Sequence, residues 1–69
     1  MGLDNEQKII IVQQRILQFE NELYHHELNK SVAESLGNST EEIDSAITHL
    51  TAIIQAHKEQ LEILNNEIV

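Results

Sequence analysis

The chain is 69 residues long, with twelve Asp and Glu against four Lys and Arg, a net charge of −8 and no cysteine. That balance excludes a nucleic-acid backbone and an anionic membrane surface as ligands, since both select clustered Lys and Arg. It also excludes disulfides and thiolate metal sites as staples for a core that, at this length, supplies only about 3–5 kcal/mol by itself. Tyr24 and Phe19 are the only aromatic residues, and the apolar mass is Ile, Leu, Val and Ala. Such a composition suits long helices packed side by side.

In chain order, the first signal is a helix start. Asp4 stands three residues before Gln7, the spacing of a capping box, and Leu3 precedes it where a hydrophobic staple would sit. The pattern predicts one helix over residues 4–36, because no proline and no internal glycine interrupts it. Gly37 can adopt the left-handed backbone that ends a helix at little cost. Gly37, Asn38 and Ser39 therefore read as a turn. Ser39 with Glu42 forms a second capping-box spacing, and Glu41, Glu42 and Asp44 place negative charge where the next helix dipole favours it. A second helix is predicted over residues 40–68.

A turn of three residues folds the chain back on itself. The expected fold is all-α: a single antiparallel two-helix hairpin, coiled-coil-like, that oligomerises into a helical bundle. Each arm of roughly 30 residues would be about 45–50 Å long at ~1.5 Å per residue.

Helix two carries a heptad. Ile43, Ile47, Leu50, Ile54, His57, Leu61, Leu64 and Ile68 alternate spacings of four and three, which is the seam of two helices packed side by side. Helix one carries two apolar stripes. Ile9, Val12, Ile16, Phe19 and Leu23 form the first; Ile10, Leu17, Tyr24, Leu28 and Val32 form the second, roughly 100–120° away on a wheel of 100° per residue. One neighbour cannot cover both, so one stripe must meet another chain. The pattern alone does not decide which. The Ile9–Leu23 stripe and the helix-two heptad make up the expected interface set, and a charge at Ile16 or Phe19 is expected to dissociate the oligomer. The Leu17–Tyr24 stripe is the alternative surface.

Among polar residues, Glu22 and His25 have the Glu-x-x-His spacing of carboxylate-bridged metal bundles. They share a helix sector with Arg15, Gln18 and Asn29, opposite both apolar stripes. Metal-bundle ligands point inward, so these two are weak candidates and no metal or cofactor is expected. His57 holds a seam position, where a polar residue fixes register and lowers stability. Its replacement by Leu is expected to stabilise the fold by about 1–3 kcal/mol. His26 continues the first stripe by one step.

No glycine-rich phosphate loop and no convergent acid, base and nucleophile can be read from the chain, so it is not expected to be an enzyme. The expected function is a structural, assembly or protein-interaction module. Its homo-oligomer is the first partner and a second protein another, with no nucleic acid and no membrane. A component of phage or bacterial assemblies fits the small size and acidity by association. An acidic inhibitor or adaptor for one protein is the first alternative, and a metal-binding bundle the second. The location is cytoplasmic by default, since no signal or spanning segment is present, or on a virion.

Overall fold

A computed structural model describes residues 2–67 of the chain. Helix α1 runs Asn5–Ser35 and helix α2 runs Glu41–Asn66, packed against each other as a hairpin. The two ends fix the antiparallel sense. Lys30 of α1 pairs with Asp44 of α2 at 2.7 Å beside the turn. At the open end the Asn5 amide donates to the Glu67 carboxylate at 3.4 Å.

The first cap is the one its spacing predicts. The Asp4 carboxylate accepts the Gln7 amide hydrogen at 2.8 Å, and the Gln7 side chain accepts from the Asp4 amide at 3.2 Å. Two of the orphan donors of the first turn are satisfied reciprocally. The far end of α1 is a Schellman closure: Asn38 donates to the Ala33 carbonyl at 2.8 Å and Gly37 to the Glu34 carbonyl at 3.1 Å. This requires a left-handed residue, and Gly37 supplies it with φ of 72°.

The second cap differs from its expectation. Helix α2 begins at Glu41, with Thr40 at the cap position and no side-chain cap bond. Ser39 reaches only the Glu41 amide, at 3.4 Å, and does not form the reciprocal pair with Glu42. The Schellman closure uses Asn38, so the chain needs one more residue before it can turn into the second helix. Thr40 then donates its hydroxyl to Asp44 at 3.0 Å. The turn is consequently wider than residues 37–39, and α1 stops one residue short of Leu36, its C-cap. Ile68, the last seam position of the predicted heptad, lies outside the described residues.

The core is a single seam. Ile16, Leu50 and Ile54 are the buried hydrophobic residues among those described, at 6–8% exposure. Around them Ile9, Val12, Phe19 and Leu23 of α1 and Ile43, Ile47, His57, Leu61 and Leu64 of α2 are half-buried. The molecule is a rod of 52 × 18 × 14 Å with a radius of gyration of 16.0 Å, against about 11 Å for a compact domain of this length. Its surface of 5385 Å² exceeds the ~4,400 Å² of a compact monomer of 7.9 kDa. No helix among the described residues is long and apolar enough to cross a membrane.

Candidate interaction surface

Helix α2 covers one stripe of α1, and the choice between the two is clear. Along α1 the half-buried and buried positions are Asn5, Ile9, Val12, Ile16, Phe19, Leu23, His26, Lys30 and Ala33. Their spacing alternates four and three without a break, so the first stripe is a full heptad in phase with that of α2. The interface set named from the sequence thus packs on itself within the hairpin, apart from the undescribed Ile68. The expectation that Ile16 or Phe19 forms the contact between chains is corrected accordingly: Ile16 is 8% exposed and sits under α2.

The second stripe is open. Ile10, Leu17, Tyr24, Leu28 and Val32 are all exposed, Leu17 and Tyr24 by 71% and 63%. Leu3, half-exposed just before the helix, extends the row by the same seven-residue step. Gln7, Gln14 and Asn21 fill the turns between these residues and are exposed too. The result is a continuous uncharged strip along α1, from Leu3 to Val32. Scattered exposed aliphatics are ordinary on a soluble surface; here five large apolar residues align along one helix instead.

Two polar residues sit in the seam. His57 turns Nδ1 toward the Ile53 carbonyl at 2.8 Å. A carbonyl oxygen only accepts, so Nδ1 carries the proton in that bond. The ring also lies against Phe19, with centroids 5.1 Å apart and planes tilted by 54°. The second feature, which the sequence reading missed, is Lys30. It occupies a heptad position of α1, and its ammonium meets Asp44 across the seam. The hydrogen bond from Lys30, helped by the one from Thr40, holds the Asp44 carboxyl below its usual range. The same bond and the charge of Asp44 raise Lys30 above the ordinary lysine value. The signal was available in the heptad count itself, since Lys30 follows His26 at the next seam step.

Glu22 and His25 are both exposed. Among the described residues no group of three His, Asp or Glu side chains gathers as a metal site would require. An open groove on α2 is lined by Asp44, Ser45, Thr48, His49 and Ala52. The Thr48 hydroxyl donates to the Asp44 carbonyl at 3.0 Å, and the Asp44 carboxylate is held by Lys30 and Thr40. Comparison with protein-family models, with curated proteins and with solved structures found no match to this chain.

Proposed function

We propose that this chain is a non-enzymatic assembly module: a helical hairpin that associates with copies of itself through the outer strip of helix α1. The observation that carries the reading is that strip, uncharged from Leu3 to Val32 and left open by the hairpin. The small core supports it. With three buried hydrophobic residues among those described, the hairpin has little reserve, and oligomerisation is the staple open to a small chain without cysteine. The surface in excess of a compact monomer is on the order of 1,000 Å², comparable to the ~800 Å² each partner buries in a standard interface.

The test is the mass in solution. Light scattering of the wild-type chain at about 100 μM should give at least twice 7.9 kDa. Leu17→Glu should weaken association at least tenfold (about 1.4 kcal/mol), because it would place an unpaired charge in the contact. A wild-type chain that stays monomeric at that concentration would refute the reading.

A further inference from the structure

The outer strip has a charge pattern that selects one way of pairing two copies, and this inference rests on the self-association proposed above. Leu3, Ile10, Leu17 and Tyr24 repeat every seven residues, and Gln7, Gln14, Asn21 and Leu28 follow each of them by four. These are the two seam positions of a heptad. The residues just before the second set are Glu6, Gln13, Glu20 and Glu27, all exposed. They make one rim of the strip acidic. The residues just after the first set, apart from Asp4 at the cap, are Ile11, Gln18 and His25, and Val32 holds the same heptad position one repeat on, after Ser31; all four are exposed and without a carboxylate.

Two helices packed antiparallel along such a seam bring like rims together. The two sets then face each other, Leu17 against Gln14 and Tyr24 against Gln7, and Glu6 of one chain would lie beside Glu27 of the other, twice over. Two helices packed parallel bring opposite rims together. Glu6, Gln13, Glu20 and Glu27 would then face Ile11, Gln18, His25 and Val32 of the second copy, five residues further on, and Glu20 would meet His25. Charges at these rim positions set partner orientation in paired helices. Asn21 adds a second constraint. In the parallel register it faces its own counterpart in the seam, the arrangement by which a buried asparagine fixes two chains in register.

We infer that two copies of this chain associate parallel and in register through helix α1, with Ile10, Leu17 and Tyr24 each against its counterpart, Asn21 against Asn21, and both turns at the same end. The dimer is a four-helix assembly in which the α1 helices are central and the α2 helices lie outside.

The native chain has no cysteine, so single-cysteine variants report orientation cleanly. Gln7→Cys and Tyr24→Cys are prepared separately and oxidised at a concentration where wild-type light scattering shows the dimer. Each should crosslink to itself, and an equimolar mixture should give almost no mixed product, because about 25 Å of helix separates the two positions at ~1.5 Å per residue. Glu22→Cys, on the opposite side of α1, should crosslink at least tenfold more slowly. Circular dichroism checks that each variant keeps the helical signal of the parent. Abundant mixed product, joining the Gln7→Cys chain to the Tyr24→Cys chain, would show antiparallel packing and overturn the inference while leaving self-association intact. Crosslinking no faster than that of Glu22→Cys, in variants that remain helical and dimeric, would move the contact to another face and overturn it as well. A monomeric wild-type chain would defeat this inference and the proposal beneath it together.

Discussion

Helix α2 keeps its large aliphatic side chains on one face, whereas helix α1 divides them between two. On α2 the heptad from Ile43 to Leu64 is buried or half-buried, and Ile63 is the exposed large hydrophobic residue of that helix. On α1 one heptad packs against α2 while Ile10, Leu17, Tyr24, Leu28 and Val32 face solvent. The difference teaches what each helix is for. An amphipathic helix with one apolar face is satisfied by one neighbour. A helix with two such faces keeps one of them open when its single neighbour has covered the other, and the two faces belong to different residues on the same turn.

That separation makes the largest effect predictable. Ile16 and Leu17 are adjacent in sequence but 8% and 71% exposed. Ile16→Glu should unfold the hairpin, since losing a buried aliphatic side chain costs about 2–5 kcal/mol and an unpaired carboxylate adds to that. The far-UV helical signal at 25 °C should largely vanish. Leu17→Glu should retain that signal at 25 °C but melt at a lower temperature, one that no longer depends on protein concentration. Equal loss of helicity in both variants would mean that the hairpin and the association form one cooperative unit, and the comparison would collapse.

A smaller effect belongs to the turn that lets the two helices meet. Gly37→Ala meets no steric neighbour, since nothing lies within 4 Å of the added Cβ, but φ of 72° strains any L side chain. The expected cost is about 1 kcal/mol, read from chemical denaturation. Gly2→Ala, equally uncrowded and outside both helices, should cost nothing measurable. If Gly37→Ala is as stable as the parent, the left-handed closure of α1 is not needed for the hairpin.

The ion pair beside the turn gives a pH signature. Asp44 is held below its ordinary value of 3.8 chiefly by the hydrogen bond from Lys30. A depressed folded-state value means a contribution fully present above 3.8 and lost as pH falls below it, through the lower folded-state value. Lys30 is raised above 10.5, chiefly by the bond to Asp44, so its contribution is complete below 10.5 and fades as pH climbs through the higher folded-state value. Both groups are substantially exposed, so each effect is modest. Asp44→Asn should flatten the melting temperature below pH 3.8, and Lys30→Met should flatten it above pH 10.5. An acid limb unchanged in Asp44→Asn would show that other carboxylates carry it.

Much of this architecture is legible from the residues. Asp4 with Gln7, Gly37, and the heptad of α2 each carry a local physical reason strong enough to survive tertiary packing. Both stripes of α1 are visible as well. Their assignment to inside and outside turns on a subtler point. Between the apolar residues of the inner stripe stand more apolar residues, every three or four positions, with His26, Lys30 and Ala33 continuing the phase. Between those of the outer stripe stand Gln7, Gln14 and Asn21. The inner stripe therefore offers more apolar area per turn to the first neighbour available, which is α2. The second cap was misread because Ser39, Thr40 and their acidic followers offer two overlapping starts. The seam position of Lys30 is legible in the heptad count of α1, whereas its pairing with Asp44 on the other helix is not.

The finest test of the comparison is at the seam itself, where His57 of α2 meets Phe19 of α1. From the sequence, His57 looks like a polar interruption whose replacement by Leu should be worth about 1–3 kcal/mol. The geometry argues for less. The ring is half-buried, so leucine gains only part of a full burial. The ring also stacks on Phe19 in a tilted arrangement at 5.1 Å, a contact worth about 0.5–1.5 kcal/mol beyond area. Its bond to the Ile53 carbonyl is local to α2, and breaking it orphans no group, because that carbonyl lies inside the helix ladder. Gain and loss nearly cancel, and His57→Leu should change stability by less than about 1 kcal/mol, in the stabilising direction. The aromatic contact is then isolated by a double-mutant cycle over Phe19→Leu and His57→Leu, with a coupling of about 0.5–1.5 kcal/mol expected between the two sites. The same cycle run between Tyr24→Leu, on the outer strip, and His57→Leu should give a coupling near zero, because Tyr24 faces away from α2. If the Tyr24 cycle couples as strongly as the Phe19 cycle, the two faces of α1 are not energetically separate.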